Sequence, residues 1–197
     1  IVAISTVSGG SATENGTQTE TITITENESA PTITLSTSTS SVAENSGTIV
    51  TLTVTSSQAA DEDITVTLAS SGTATDGTDY SSVNSSSLTI TTGTTTATKT
   101  FTITDNSIYE GNETIIVSIN TVSGGGAAES ETQTETITIT ENESAPTVSI
   151  DVDGATSASV YDNGSNLTLT ATSTQISDEA ITVVIGTSVG GATEGTD

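Results

Sequence analysis

The sequence predicts an all-β protein built from tandem antiparallel β-sandwich modules. Two observations carry this prediction. Apolar residues alternate with Thr and Ser along most of the chain, and alternation with β-branched residues is typical of strands that bury one face. The segment Thr132–Pro146 also copies Thr17–Pro31 residue for residue, at an offset of 146 − 31 = 115 residues. A copy at this spacing indicates that the repeating unit is a whole domain.

Strand-like segments account for most of one repeat. Thr32–Leu35 is the first, and Thr48–Thr55 is the second. The residues predicted to face the core are Val50, Leu52 and Val54; Ile64, Val66 and Leu68; Leu88 and Ile90; Phe101 and Ile103; Ile115, Val117 and Ile119; and Ile137 and Ile139. Gly and Asn occupy the turns between them, where left-handed backbone is tolerated. About seven strands in a domain of this size are typical of an antiparallel sandwich.

The repeat divides the chain into three predicted segments. Ile1 aligns with Ile116, so residues 1–31 are expected to be the C-terminal strands of a preceding repeat. Residues 32–146 form one complete repeat, and residues 147–197 form the N-terminal half of the following one. We therefore expect the parent protein to be longer, with further repeats in tandem.

The composition narrows the classes of function. With 25 Asp and Glu residues, a single Lys or Arg and no His, the formal net charge is −24. This charge disfavours nucleic acid and anionic membranes as partners and favours cations. No apolar run is long enough to span a membrane. Without His or Cys, no disulfide and neither a Ser-His-Asp nor a Cys-His catalytic arrangement can form. Four aromatic residues leave little for the sugar-binding cleft of a two-carboxylate glycosidase, so we expect that the chain is not an enzyme.

Acidic residues of the complete repeat gather at or beside predicted strand ends. They are Glu44, Asp76, Asp79, Asp105, Glu110, Glu113, Glu141 and Glu143. Because alternate strands of a sandwich end at the same edge, several of these loops can converge. Carboxylate oxygens without His or Cys favour a hard cation such as Ca²⁺, and carboxylates grouped together repel one another without a counter-ion. The alternative interpretation is that these acids are solvated turn residues.

Five motifs of the complete repeat occur in the order SVAEN, GTATDGTDY, FTITD, IYEGNET and ITITENE. They correspond to Ser41–Asn45, Gly72–Tyr80, Phe101–Asp105, Ile108–Thr114 and Ile137–Glu143. Together they resemble the Calx-beta domain family over the whole repeat. Partial versions of the same motifs recur at Glu26–Glu28, Tyr161–Gly164 and Ala192–Asp197.

The resemblance implies an immunoglobulin-like sandwich with a Ca²⁺ cluster at one end, near the junction with the next module. The ligands that it implies are Glu44, Asp79, Asp105, Glu110, Glu113, Glu141 and Glu143. The family often has consecutive aspartates where this chain has Asp105-Asn106 and Glu141-Asn142-Glu143. Because Asn offers a neutral oxygen, we expect weaker, structural sites that fill at the millimolar calcium found outside cells.

Two further acidic segments receive a different interpretation. Asp61–Asp63, which matches Ser177–Glu179, is interpreted as a plain polar loop. Asp151 and Asp153 lie just past the junction and could add ligands there, but an exposed strand end is the preferred interpretation.

These observations favour a structural role. The predicted function is a rod or stalk segment of a giant secreted or cell-surface adhesin or filament of bacterial origin, rigidified by Ca²⁺ between modules. Its partners would be neighbouring repeats and other copies in a filament or bundle. The alternatives are a Calx-beta calcium-sensing or ligand-binding module, and a repeat block attached to a distant enzyme domain.

N-x-S/T sequons are frequent in the chain. They begin at Asn15, Asn27, Asn84, Asn112, Asn142, Asn163 and Asn166. They could carry glycans on the extracellular protein that we predict, and Ser and Thr could carry O-linked sugars. A chain this rich in Asn, Ser and Thr also produces many sequons by chance.

Overall fold

The computed structural model describes residues 1–153 and 166–186, in two compact units, Ile1–Ala30 and Pro31–Asp197. In the first unit, β1 (Val2–Ala3) pairs antiparallel with β2 (Thr19–Glu20). The motifs predicted at Tyr161–Gly164 and Ala192–Asp197, with the sequon at Asn163, lie outside the described residues.

The second unit carries the remaining strands. These are β3 (Thr32–Thr37), β4 (Ser41–Ala43), β5 (Ile49–Ser56), β6 (Ile64–Gly72), β7 (Ser87–Ile90), β8 (Thr96–Thr102), β9 (Glu113–Ser123), β10 (Ala128–Glu129), β11 (Thr134–Thr140), β12 (Val148–Val152) and β13 (Leu169–Ser173). A single 3₁₀ turn, Glu44–Ser46, follows β4. Within the two described ranges, no helix is long and apolar enough to cross a membrane.

Two sheets of this unit form a β-sandwich, which confirms the all-β sandwich that the sequence predicts. One sheet has the strand order β10-β3-β5-β8, and the other has the order β4-β11-β9-β6-β7. Most neighbours are antiparallel, as predicted. The exceptions are two edge strands, since β4 pairs in parallel with β11 and β10 in parallel with β3. Both strands are two or three residues long, which is too short for a periodic pattern to reveal them.

The core of the sandwich consists of the alternating residues that the sequence indicated. Val50, Leu52 and Val54 are fully buried, and all the other predicted core residues are buried as well. The ring of Tyr80 lies against that of Phe101, with centroids 5.7 Å apart and planes tilted by 60°. Each large side chain that leaves water contributes about 1.5–3 kcal/mol, so this two-sided core stabilises the fold without a disulfide.

The hairpin of the first unit repeats a pairing of the second. Val2 faces Glu20 across β1 and β2, and at an offset of 115 residues Val117 faces Glu135 across β9 and β11. Burial differs between the two copies. Ile22 and Ile24 are 69% and 94% exposed, while their counterparts Ile137 and Ile139 are 0% and 3% exposed. The register is therefore the same in both places, but only the second copy faces a complete sandwich.

Candidate metal centre

The first carboxylate group consists of Glu44, Glu141 and Glu143. One oxygen of each carboxylate lies within 4.8 Å of the others. The parallel pairing of β4 with β11 creates this arrangement, because it sets Ala43 opposite Thr140 at the ends of the two strands. The residues that follow, Glu44 and Glu141, therefore leave the sheet side by side. Glu44 is 4% exposed, so its carboxylate is removed from water.

The second carboxylate group consists of Asp79, Glu110 and Glu113, again with one oxygen from each within 4.8 Å of the others. Asp79 lies between β6 and β7 and is 6% exposed. Its Oδ2 accepts a hydrogen bond from the Thr75 amide at 2.6 Å. Its main-chain carbonyl accepts one from the Thr104 amide at 2.8 Å, which ties the turn to the chain just after β8. Glu110 precedes β9 and Glu113 begins it, so this group joins two separate loops.

Asn106 connects the two groups. Its main-chain amide donates to Oε1 of Glu44 at 3.3 Å, and its side-chain amide donates to Oε2 of Glu110 at 3.1 Å. The side-chain oxygen of Asn106 accepts a hydrogen bond from the Ile108 amide at 2.6 Å. The side chain therefore presents its NH₂ to the carboxylates. At the position where the resemblance leads one to expect an aspartate, this chain has a donor that partly offsets the negative charge.

Several carboxyls hold their protons unusually tightly. Burial raises the pKa of Glu44 to about 7. The hydrogen bond from the Asn106 amide is the next largest influence and lowers it, while the charges of Glu141, Glu110 and Glu143 add smaller increases. Burial and the charges of Asp79 and Glu110 likewise raise the pKa of Glu113 to about 7. Burial and the charges of Asp79, Asp178 and Glu141 raise the pKa of Glu110, although the hydrogen bond from the Asn106 side chain lowers it. Without a cation, ionisation of these groups is disfavoured near neutral pH.

Glu141 is the exception. Its Oε2 accepts hydrogen bonds from the amides of Glu110 and Gly111 at 2.6 and 2.8 Å. Its Oε1 accepts from the amides of Asn142 and Glu143, both at 2.9 Å. Although burial raises the pKa of Glu141, these donors outweigh burial and lower it to about 2. Gly111 adopts a φ of 75°, a left-handed conformation that glycine reaches without strain.

Both carboxylate oxygens of Glu141 accept hydrogen bonds, whereas one oxygen of Glu143 accepts none from the part of the chain that the structure describes. Its pKa is raised, first by the hydrogen bond that it shares with Glu141 and then by burial and nearby charge. Its Oε2 is buried and has no hydrogen-bond partner among the described residues. An oxygen that has lost water without gaining a donor is a natural ligand for a cation, because a buried acceptor without a partner is costly.

Two other acids that the sequence indicated belong to neither group. Asp105 is exposed and belongs to neither, but its charge contributes to the raised pKa of Glu143. Asp76 has a local role, because its Oδ2 accepts hydrogen bonds from the Ser70 hydroxyl and the Val83 and Asn84 amides. Burial opposes these bonds, but they lower the pKa of Asp76 to about 2.

The family model of the Calx-beta domain matches residues 26–143 of this chain. The chain belongs to the Calx-beta domain family. No curated protein matches it.

Solved structures similar to this Calx-beta chain include the apo form of the Calx CBD1 domain, with 19% identity over 56% of this chain and 98% of that one, at a TM-score of 0.47. A second is CBD12 from CALX1.2, with 20% identity over 51% of this chain and 40% of that one, at a TM-score of 0.45. A third is the calcium binding domain CBD12 of CALX1.1, with 20% identity over 52% of this chain and 41% of that one, at a TM-score of 0.44. This chain thus spans less than half the length of the two CBD12 structures.

Of the seven ligands implied for the Calx-beta repeat, the structure gathers all but Asp105 into the two groups. The sequence did not indicate that there are two groups, because that division depends on which loops meet in three dimensions. It also did not indicate that Asp178 lies near the second group, where its charge raises the pKa of Glu110 and Glu113.

The acids suggested just past the junction are placed differently. Asp153 has a φ of 49°, and its Oδ1 accepts a hydrogen bond from the Thr168 amide at 3.0 Å. Neither Asp151 nor Asp153 belongs to a carboxylate group within the described ranges. An ordinary turn after β12 accounts for Asp153.

Proposed function

We propose that this Calx-beta repeat binds Ca²⁺ through its two carboxylate groups. The observation that supports this most strongly is that each group gathers three carboxylate oxygens within 4.8 Å of one another, including one from buried Glu44 in the first group and one from half-buried Glu113 in the second. The pKa values of Glu44 and Glu113 are raised to about 7 in these surroundings. At neutral pH these groups ionise at a cost in free energy, and a divalent cation between them and their neighbours removes that cost. A cation bound between these carboxylates would stabilise their ionised forms and, with them, the fold.

The donor set suits calcium better than a transition metal. Each group offers carboxylate oxygens only, from residues on two different loops, and Ca²⁺ accepts six to eight oxygens in a flexible geometry. Glu44, Glu141 and Glu143 would hold one ion, and Asp79, Glu110 and Glu113 another. Asp105 would contribute from the side of Glu143. Water would complete each shell.

We infer that the repeat serves as a rod or stalk segment of a secreted or cell-surface adhesin or filament of bacterial origin. The sequence repeat at 115 residues and the position of Glu141 and Glu143 just before Pro146 support this role. An ion held there lies next to the passage into the following segment. It would stiffen the junction between consecutive repeats, and the module itself would carry no catalytic activity. The same module in a calcium sensor or a ligand-binding domain is the alternative.

Thermal unfolding of the full chain at pH 7.5, with EDTA or with millimolar CaCl₂, tests calcium binding. A ligand at a hundredfold excess over its dissociation constant stabilises the folded state by about 2.7 kcal/mol, so the midpoint should rise by several degrees. Asp61→Asn is the control: it removes one exposed charge outside both groups, so calcium should raise its midpoint as much as in wild-type protein. An unchanged midpoint in wild-type protein would contradict calcium binding.

The affinity for calcium distinguishes the structural role from the sensor role. A dissociation constant of about 0.1–1 mM, measured by calorimetry, is typical of extracellular structural modules, while sensors bind in the range of about 0.1–10 µM. A micromolar value would favour the alternative and argue against the rod segment.

A further inference from the structure

The loop after β13 contacts an edge of the complete repeat through main-chain atoms. The Tyr109 amide donates to the Ile176 carbonyl at 2.9 Å, and the Asp178 amide donates to the Tyr109 carbonyl at 3.3 Å. These bonds form a parallel β-bridge between Tyr109 and Ser177. Ser177 is half-buried by the contact, while Ile176 is 69% exposed. The contact therefore does not depend on burial of the Ile176 side chain.

The loop after β13 repeats an internal hydrogen bond of the loop after β5. The Ser173 hydroxyl donates to the Gln175 carbonyl at 2.7 Å, and the Ser56 hydroxyl donates to the Gln58 carbonyl at 2.7 Å. The Thr174 amide donates to the Thr147 carbonyl at 2.9 Å, and in the complete repeat the Ser57 amide donates to the Thr32 carbonyl at 2.9 Å.

The strands that lead into the two loops also pair alike. Val148 faces Ser173 across β12 and β13, and Ile33 faces Ser56 across β3 and β5. The offset between the serines is 173 − 56 = 117 residues, which aligns Gln175-Ile176-Ser177-Asp178 with Gln58-Ala59-Ala60-Asp61. The strand register therefore aligns Asp178 with Asp61, one residue away from the match that the sequence suggests. Both segments read as polar loops in the sequence, but in the structure Ser177 forms a β-bridge with Tyr109.

We propose that this loop is a docking element by which each repeat binds the repeat before it. In the following segment the element is Gln175–Asp178, and its partner is the Tyr109 edge. In the complete repeat the element is Gln58–Asp61, and its partner is the corresponding edge of a preceding copy of the module. The proposal rests on the tandem array proposed above, and it adds the surface through which neighbouring repeats meet.

The chemistry of the contact suits a repeated junction. Main-chain hydrogen bonds do not require a particular side chain, so Ala59 and Ala60 can replace Ile176 and Ser177 without loss of the bridge. The two loops share the glutamine at the start, Gln58 or Gln175, and the acid at the end, Asp61 or Asp178. Asp178 lies close enough to Glu110 and Glu113 for its charge to oppose the contact, so the bridge holds the loop against repulsion.

Hydrogen exchange of the Tyr109 amide in the full chain tests this proposal. The measurement is made in EDTA, so the outcome does not depend on whether the chain binds calcium. We expect the amide to exchange about tenfold more slowly in wild-type protein than in Asp178→Pro, which cannot donate to Tyr109. Equal rates in these two proteins would show that the loop does not dock, and the proposal would be wrong.

A double variant tests whether the two loops are interchangeable. Ile176→Ala with Ser177→Ala gives the following segment the loop sequence of the complete repeat. We expect the Tyr109 amide to remain as protected as in wild-type protein. Asp61→Pro, which alters only the loop of the complete repeat, is the matched control and should leave this amide unchanged. Exchange in the double variant as fast as in Asp178→Pro would overturn the assignment of Gln58–Asp61.

Discussion

The two carboxylate groups have similar compositions but balance their charges differently. In the first, Glu141 accepts four main-chain hydrogen bonds and has a pKa lowered to about 2. In the second, the pKa values of both Glu110 and Glu113 are raised, and Asp178 adds a further negative charge nearby. Backbone donors thus stabilise one anion of the first group, while the second group has few donors. The same substitution should therefore have opposite effects in the two groups.

The largest expected effect concerns both groups together. Glu44 and Glu113 have pKa values of about 7 in the folded state, against an ordinary value of 4.5 for a glutamate in water. Each therefore stabilises the fold fully below pH 4.5 and loses that contribution as the pH rises through 7. For buried Glu44 the loss approaches about 3 kcal/mol. In EDTA, the free energy of unfolding should fall between pH 4.5 and pH 8, as urea titrations at each pH can measure.

Calcium should remove most of this pH dependence, because a bound cation keeps the carboxylates ionised. Glu141 and Asp76, with pKa values of about 2, contribute stability that is lost only as the pH falls below about 4. Metal-free stability should therefore peak near pH 4.5. A curve in EDTA that rises steadily from pH 4.5 to pH 8 would contradict the assigned burial of Glu44 and Glu113.

Glu141→Gln should destabilise the metal-free protein by about 2 kcal/mol at pH 7.5. The neutral amide is a weaker acceptor for four main-chain donors, and its NH₂ faces some of them. Urea unfolding in EDTA measures this loss. Glu135→Gln is the control, since Glu135 lies on β11, the strand that directly precedes Glu141, and belongs to neither group. An equal effect of the two substitutions would show that the donors do not stabilise Glu141.

Glu113→Gln should do the opposite and stabilise the metal-free protein by about 1 kcal/mol at pH 8, because it removes a half-buried charge beside Asp79 and Glu110. The same variant should lose most of the stabilisation that calcium gives to the second group. Parallel unfolding in EDTA and in calcium separates the two effects. A loss of stability in EDTA would indicate that Glu113 has an unrecognised donor.

The smallest expected effect tests Gly111 alone. Gly111→Ala places a side chain at a φ of 75° with open space around it, and Gly93→Ala does the same at 77° in a turn remote from both groups. Each should cost about 1 kcal/mol in backbone strain. Any additional loss in Gly111→Ala reports how far the strain displaces the Gly111 amide from Glu141, since alanine keeps the N–H that donates this bond. Calcium affinity should change in Gly111→Ala and stay constant in Gly93→Ala.

The sequence allowed the core to be predicted more fully than the site. Alternation identified the seven longer strands of the sandwich, and Val50, Leu52 and Val54 are buried as expected. Ser41–Ala43 also looks strand-like, but three residues do not show which strand they pair with, and the two residues of β10 are too few to carry a period. That omission mattered for the site, because the parallel pairing of β4 with β11 is what brings Glu44 beside Glu141.

The resemblance to the Calx-beta family indicated which acidic residues form the site. It did not indicate that they divide into two groups, or which residues they contact. Asn106 was expected to weaken a site by replacing a charged oxygen. The structure shows instead that its amide nitrogens contact Glu44 and Glu110. Asp178 belongs to a segment distant in sequence, so its approach to the second group depends on how the loop after β13 meets Tyr109. Neither contact has a signature in a single sequence.

The duplicated hairpin has a consequence for folding. Residues 1–31 and 116–146 are identical at 25 of 31 positions, and their strands pair in the same register. Hairpins form in about 1–10 µs, well before the distant strands of a sandwich meet. In a tandem array, a hairpin from one repeat can therefore insert into the unfinished sandwich of its neighbour, which is a characteristic failure of repeat proteins. Refolding of longer arrays should show a slow phase that grows with repeat number, while synthesis from the N-terminus lets each sandwich close before the next copy appears.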